Sequence, residues 1–301
     1  MNAKLCGVLL VAVLAGCATP APPTAMGARP TYLQATTEDV PNAAALTHRI
    51  WTPALNETYV PQGLTSAGAH LYVSSYKPTP ELKSNTGPCR VFRVEKATGR
   101  IAGHFDIPPG TCTHSGGLAY VGHGKLFLAD TYQLFLVDVD KALAAGTSAG
   151  AQKAVRIAGL LRGSYATFDG KDAWIGTWTR DAAKAFMFRL DSSFFDSFDG
   201  QTVREDRAAE SIPVHLEAQG AAFDRHGNLW MSASNSQWGK LYRLDRKGKL
   251  LATYDMPAGL EDLTVDELGQ LWGLSESGTQ KYLGWATKFP YIFRIDTSRL
   301  K

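Results

Sequence analysis

The chain has 301 residues, of which 45% are hydrophobic and 20% are charged. Lys and Arg number 31 and Asp and Glu number 28, so the formal net charge is only +3, and charges of both signs are interspersed along the chain. This balance, with no long basic run, argues against nucleic-acid binding, which typically needs a concentrated basic face.

The N-terminus has the features of an export signal. Lys4 precedes an apolar stretch from Leu5 to Ala15, which is too short to span a bilayer but has the length of a signal-peptide core. Leu14-Ala15-Gly16-Cys17 resembles a bacterial lipobox. The resemblance implies a signal peptide over residues 1–16, a lipid on Cys17 and, because Ala18 follows it, an outer-membrane location facing the periplasm. The alternative is an ordinary signal peptide that contains a Cys.

Residues 17–45 are rich in Ala, Pro and Thr, which predicts a flexible tether with too little apolar content to pack. Residues 46–301 are then expected to form one globular domain. Its first apolar run, residues 48–53, resembles the outermost strands of the repeats that follow.

One short pattern recurs five times from about residue 59 to the end of the chain. Each copy contains an apolar run, a Gly turn and a return run; the return runs begin at Leu71, Leu126, Ala173, Leu229 and Leu271. Intervals of 42 to 56 residues between these positions suit four-stranded blades. The prediction is an all-β fold: a single β-propeller with five four-stranded blades, or six as the alternative.

The last repeat stops after its third strand, at residues 291–296. We expect residues 48–53 to pair beside it and supply the missing fourth strand. This pairing closes the ring and removes both exposed sheet edges.

The inner hairpins Phe223–Trp230 and Val265–Trp272 resemble those of the SMP-30/gluconolactonase, strictosidine-synthase-like and NHL propellers. In SMP-30-like lactonases an acidic residue at an inner strand start holds a metal, whereas Gln62 stands at the first start here. Asp and Gly recur in such hairpins to form tight turns. Asp169, Asp224 and Asp266 are therefore interpreted as turn residues.

Two of the four cysteines are expected to pair. Cys6 lies in the leader and Cys17 would carry lipid, which leaves Cys89 and Cys112. Hairpin pairing brings both to one end of the first blade, so an oxidising compartment favours a disulfide between them. A two-Cys metal site is the weaker alternative, because no second pair of ligands matches it.

Ligand sites in a propeller gather at the face where inner strands start and second strands end. The candidate ligand-binding residues at these positions are Gln62, Tyr76, Ser115, Asp130, Tyr165, Trp178, Gln219, Asn235, Asp262 and Glu276. Aromatic faces combined with amides and hydroxyls suit a sugar or another small polar molecule. The alternative is that these groups only satisfy buried strand ends and channel waters.

Two long connections, residues 77–88 and 277–290, belong to blades that ring closure makes neighbours. We expect them to wall one side of the central mouth and to place Tyr282 and Trp285 there. Long loops of this kind are frequently functional.

The predicted function is ligand binding by a monomeric cell-envelope lipoprotein, the ligand being a small polar molecule, a glycan or a peptide. The second hypothesis is a metal-dependent lactonase- or esterase-like hydrolase. In it Glu261 and Asp262 bind a metal such as Ca²⁺, while His114 and Glu261 are the catalytic residues. A protein-interaction scaffold that uses the blade sides is the third. Nucleophile-elbow, Walker, Rossmann and zinc-helix motifs are not found in the sequence.

Overall fold

The apolar runs and Gly turns of the repeats form twenty strands in the computed structural model, which describes residues 24–191, 194–195 and 200–301. They make five four-stranded antiparallel sheets. In chain order the strands are β1 Leu46–Trp51, β2 Val60–Ala67, β3 His70–Tyr76, β4 Cys89–Glu95, β5 Ile101–Asp106, β6 Gly117–Tyr120, β7 Lys125–Asp130, β8 Gln133–Asp138, β9 Gln152–Arg156, β10 Tyr165–Phe168, β11 Ala173–Gly176, β12 Phe186–Leu190, β13 Glu210–Pro213, β14 Ala218–Phe223, β15 Leu229–Ser234, β16 Gly239–Leu244, β17 Leu250–Met256, β18 Leu260–Val265, β19 Leu271–Ser275 and β20 Tyr291–Ile295.

Blades 1 to 4 are formed by β2–β5, β6–β9, β10–β13 and β14–β17 in sequence order. Blade 5 has the order β18, β19, β20, β1, so its outer strand comes from the N-terminal side of the chain. β1 is antiparallel to β20, with Leu46 opposite Ile295 and Trp51 opposite Tyr291. The predicted five-bladed ring and its N-terminal closure are therefore confirmed.

The inner strands converge so tightly at the axis that several positions accept only Gly. A Cβ on Gly63 would press on the backbone of Gly117, one on Gly117 would collide with the backbone N of Ala166, and one on Gly220 with Cα of Asp262. Crowding at the axis is therefore the reason for these glycines.

The inner hairpins of blades 3, 4 and 5 share one stabilising device. The turn residues Asp169, Asp224 and Asp266 accept backbone N–H groups within the turn and also the indole N–H of a Trp on the following strand, at 2.9 to 3.2 Å. Their interpretation as turn residues is confirmed. The buried Trp side chains pack between neighbouring blades and anchor each hairpin to the core.

The two long connections at the predicted mouth are present: residues 77–88 join β3 to β4, and residues 276–290 join β19 to β20. Two others, residues 139–151 with the helix α1 (Val139–Ala145) and residues 191–209, join third to fourth strands. The antiparallel order puts the start of both on the opposite face. In the second connection, Glu205 reaches the segment between blades 2 and 3, where it accepts the backbone N–H group of Leu160 at 3.0 Å.

The prediction of a flexible tether over residues 17–45 is wrong for residues 24–45, which the structure describes. From residue 24 onward the segment is packed on blade 5: Leu33 and Val40 are buried in its core, Met26 bridges to Ile50, and the Thr37 N–H donates to Lys288 O at 2.8 Å. A few apolar side chains are enough to hold this segment, because it packs on a blade whose four strands are already paired. The leader and Cys17 lie outside the described residues, and among those described no helix is long and apolar enough to span a bilayer.

Cys89 and Cys112 form the expected disulfide, with their Cα atoms 5.8 Å apart. It closes a sequence separation of 23 residues and fixes the segment that leads into β6 to the start of β4. The Gly87 N–H donates to Thr113 O at 2.7 Å beside it. The bond therefore holds the loop that precedes Ser115 against blade 1.

A Cys89→Ser/Cys112→Ser double variant should lose about 3 kcal/mol of unfolding free energy, because the unfolded chain regains the entropy of an open loop. Denaturant unfolding of the wild type with and without a reductant provides the matched comparison. Equal midpoints for the oxidised protein and the double variant would show that the disulfide contributes no stability.

Candidate functional site

Three inner strands carry a β-bulge at the position that starts the mouth. In β2 the pairing skips Gln62 between Pro61 and Gly63, and in β14 it skips Gln219 between Ala218 and Gly220. β18 has the same irregularity between Leu260 and Leu263. A bulge redirects a side chain out of the regular alternation, and Gln62, Gln219 and Glu261 all line one cavity.

This cavity, here called the mouth cavity, has a volume of about 790 Å³ at the axial end where the inner strands begin. Its size suits a small ligand. Its lining residues come from all five blades and from the long loops: Gln62, Asn85, Thr86, His114, Thr131, Gly159, Leu160, Arg162, Ser164, Thr177, Trp178, Thr179, Lys184, Gln219, Ser234, Asn235, Ser236, Glu261, Glu276, Tyr282 and Trp285.

The chemical centre of the mouth cavity is a pair of hydrogen-bonded carboxyl groups, Glu261 and Glu276. Gln219 Nε2 donates to Glu261 Oε1 at 2.9 Å, and Gln62 Nε2 donates to Glu276 Oε2 at 3.0 Å. Burial raises the pKa of Glu276 to about 7, and burial together with the neighbouring Glu276 raises that of Glu261 well above its usual range. The two groups can therefore share one proton near neutral pH.

Asp262 does not line the mouth cavity; its side chain is directed to the axis, where the inner strands converge. Its carboxylate is fully buried and accepts the backbone N–H groups of Leu64 and Leu263, each at 2.8 Å. Burial raises the pKa of Asp262 well above its usual range, and the backbone N–H groups of Leu64, Leu263, Ala221 and Leu118 act against this rise. The predicted Glu261–Asp262 metal pair is thus not brought together; Glu276 takes the place beside Glu261.

His114 lines the mouth cavity as expected and stacks on Tyr76, with ring centroids 4.9 Å apart. Its Nδ1 lies 2.6 Å from Asn85 O, so Nδ1 carries the proton and Nε2 keeps a lone pair. Burial lowers the pKa of the imidazole, which keeps the ring neutral. This geometry is compatible with a proton acceptor.

Four other predicted ligand-binding residues lie behind the cavity wall. Asp130 accepts the backbone N–H groups of His114 at 2.7 Å and Ser115 at 2.9 Å, and so shapes the loop. Ser115 and Tyr165 are fully buried, and neither hydroxyl has a hydrogen-bond partner in the part of the chain that the structure describes. Tyr76 is also buried, and it contacts His114 through its ring. None of these four side chains lines the mouth cavity.

Trp178 and Asn235 do line the mouth cavity. Trp178 is 39% exposed and lies under the guanidinium of Arg180, at 5.5 Å from its ring centroid. Asn235 Oδ1 accepts the backbone N–H groups of Gln237 and Trp238, and its Nδ2 donates to Glu217. Trp178 offers an exposed aromatic face, whereas the amide of Asn235 is largely engaged in its own loop.

Lys281 joins the two long loops at the mouth. Its Nζ donates to Tyr76 Oη at 3.0 Å and to Ser84 O and Asn85 Oδ1 of the first-blade loop. Tyr282, the next residue, hydrogen-bonds to Glu276 and lies in ring contact with Trp285 at 4.3 Å. The expected wall on one side of the mouth is formed in this way.

Sequence reasoning missed the lining residues Arg162, Lys184 and Asn85. They stand in connections between strands, where the repeat alignment has no equivalent positions. The pairing of Glu261 with Glu276 depends on the bulge in β18 between Leu260 and Leu263, which the sequence pattern does not reveal.

The sequence matches no known protein-family profile and no curated protein. Solved structures with a similar fold include a protein of unknown function from Bacteroides caccae (TM-score 0.40, 9% identity, 62% of this chain and 61% of that one). A luciferin-regenerating enzyme is also similar, with a TM-score of 0.44 and 11% identity over 80% of this chain and 92% of that one. A streptogramin B lyase has a TM-score of 0.38 and 14% identity over 80% of this chain and 93% of that one. The chain thus spans about three fifths of the Bacteroides protein, and these likenesses concern the propeller fold alone.

The adjacent carboxyl groups of Glu261 and Asp262 should respond in opposite ways to neutralisation. Asp262→Asn places an amide N–H group against backbone N–H donors and should cost about 2–4 kcal/mol of unfolding free energy. Glu261→Gln removes a desolvated charge and should leave stability at pH 8 unchanged or higher. Denaturant unfolding measures both, and equal losses in the two variants would contradict these assignments.

Stability should fall as pH rises through neutrality. The pKa of Glu276 is about 7 in the folded state against an ordinary 4.5, so its contribution is full below about pH 4.5 and is lost as pH rises through 7. Between pH 6 and 8 the wild type should lose about 1 kcal/mol relative to Glu276→Gln. Unfolding curves with a chelator present check this, and parallel pH profiles for the two proteins would refute it.

Proposed function

We propose that the protein binds a small polar ligand in the mouth cavity. The observation that carries this proposal is the set of three bulges at Gln62, Gln219 and Glu261. Each interrupts a strand ladder, which costs regular hydrogen bonds. Each also directs an amide or a carboxyl group into the mouth cavity. This arrangement supports a binding site at these positions, since closure of the ring alone does not require it.

The chemistry of the cavity supports a ligand with several hydrogen-bonding groups, such as a sugar derivative or a short peptide. Trp178 and Trp285 line the cavity and supply aromatic faces to it. Ser234 lines the cavity, is 1% exposed, and its Oγ has no hydrogen-bond partner among the described residues. A buried hydroxyl without a partner costs free energy that a bound ligand can recover.

A second candidate function is a metal-assisted hydrolase of the lactonase or esterase kind. The clustered carboxyl and amide oxygens of Glu261, Glu276 and Gln62 are the type of ligand that Ca²⁺ prefers. His114, with a lone pair on Nε2, would then accept a proton from the attacking water. Asp262 has no part in this version, because its oxygens accept backbone N–H groups.

A third candidate, a protein scaffold that uses the blade sides, has weaker support. Leu250 and Leu251 on the outer strand of blade 4 are about half exposed. Single exposed apolar residues of this kind are normal on protein surfaces.

We further propose that a lipid on Cys17 anchors the chain to the outer membrane, with the propeller in the periplasm. The leader pattern supports the anchor, and a disulfide between Cys89 and Cys112 is compatible with an oxidising compartment. No nucleic-acid partner is proposed.

A thermal-shift screen of the mature protein against neutral sugars, amino acids, short peptides and Ca²⁺ tests the binding proposal. A binding compound at 100 times its Kd should add about 2.7 kcal/mol to the unfolding free energy. Trp178→Ala and Gln219→Leu should reduce this shift, whereas Leu250→Ala, on an exposed outer strand, should leave it unchanged.

The proposal fails if no class of compound shifts the melting temperature, or if the shift is the same in Trp178→Ala and Gln219→Leu as in the wild type. A shift produced by Ca²⁺ alone, and lost in Glu276→Gln, would instead support the hydrolase.

A further inference from the structure

The blade 5 end of the mouth cavity presents mainly hydrogen-bond acceptors. Gln62 uses its Nε2 on Glu276 and on Pro61 O, at 3.0 and 2.8 Å, and Gln219 directs its Nε2 to Glu261 at 2.9 Å. The amide orientation leaves the Oε1 atoms of both Gln residues, together with the carboxyl groups, for a ligand. Such a set fits a group that carries several N–H donors.

Charge at this end favours a cation. Glu261 and Glu276 lie side by side in a buried position, where repulsion between two negative charges would be little screened, so the pair holds a proton near neutral pH. Lys281 acts electrostatically on Glu276, but its Nζ is held by Tyr76, Ser84 and Asn85. A ligand ammonium group would relieve the repulsion and satisfy the acceptors at the same time.

The opposite side of the mouth cavity is basic. Arg162, from the connection between blades 2 and 3, and Lys184, from the connection between β11 and β12 of blade 3, line it. The guanidinium of Arg162 is positioned by Nη1 hydrogen bonds to Gly159 O at 2.8 Å and Leu161 O at 2.6 Å, and it covers the ring of Tyr132. Lys184 forms an exposed ion pair with Asp181, at 3.0 Å. Exposed pairs of this kind are weak, so Lys184 remains available to an anion.

The two ends face each other across the axis. In a ring of five blades, blade 3 stands opposite the junction of blades 5 and 1, and that junction carries Glu261, Glu276 and Gln62. Between the ends lies Ser234 of blade 4, whose buried Oγ has no partner in the described part of the chain. The mouth cavity is therefore polarised, acidic at one side and basic at the other, with an unsatisfied hydroxyl between them.

We propose that the ligand is a zwitterion of the amino-acid or short-peptide type, with its ammonium group on Glu261 and Glu276 and its carboxylate on Arg162 and Lys184. This inference rests on the proposed binding function and narrows it to one ligand class. It also separates the site from a Ca²⁺ site, because a metal ion would use only the acidic end and leave the basic end without a role.

The probes are glycine oligomers of two, three and four residues, which vary the distance between the charged ends. Each is used in three forms: free, N-acetylated and as the C-terminal amide. Titration calorimetry on the mature protein at low salt, with a chelator present, measures their Kd values. At least one free oligomer should bind, and either modification should weaken it at least tenfold.

Charge variants assign the two ends. Glu276→Gln should weaken the free peptide and its amide tenfold or more and have little effect on the N-acetylated form. Arg162→Gln should weaken the free and N-acetylated peptides and have little effect on the amide. Lys249→Gln, at an exposed position in the turn after β16, makes the same change in charge and should alter none of them.

The results separate failure of the inference from failure of the proposed function. If a neutral sugar binds in a Trp178-dependent manner and no oligomer does, the cavity is a binding site but the zwitterion proposal is wrong. Equal binding of the free and modified peptides also overturns the zwitterion proposal. So does a protein that binds no oligomer but, without the chelator, binds Ca²⁺ in a Glu276-dependent manner. If nothing binds at all, both proposals fall together.

Discussion

The propeller depends on one buried carboxylate at its axis. Asp262 accepts backbone N–H groups from β2 and β18, and N–H groups of β6 and β14 act on it as well, so inner strands of four blades meet at one side chain. Glycines at positions 63, 117 and 220 allow this approach, since any Cβ there would collide with a neighbouring strand. The relative positions of the inner strands, and hence the shape of the mouth, follow from this convergence.

The neighbouring residue in the chain has a different role. Glu261 lies on the other side of the bulged strand, where it meets Glu276 and the two glutamines. One dipeptide thus contributes a structural anchor to the axis and a charged group to the cavity. The contrast is physical: the carboxylate of Asp262 is surrounded by donors, whereas that of Glu261 is next to another carboxyl group and is open to a ligand.

Much of the architecture could be predicted from the sequence, because strand periodicity, Gly turns and the incomplete last repeat are local signals. The pairing of β1 with β20, the disulfide and the two long loops followed from them. Contacts between distant segments could not be predicted. The packing of Leu33 and Val40 on blade 5, and the placement of Arg162 and Lys184 opposite Glu261, depend on the closed ring and on loop geometry that no repeat encodes.

The central claim is that a coupled carboxyl pair forms one side of the mouth cavity while Asp262 serves the axis. Carboxyl ¹³C NMR of Glu- and Asp-labelled protein, titrated from pH 4 to 9 with a chelator present, tests it most directly. We expect one Glu resonance to titrate near pH 7, in agreement with the pKa of about 7 for Glu276, and to vanish in Glu276→Gln. Titration of every Glu carboxyl at its ordinary value near 4.5 would contradict the account.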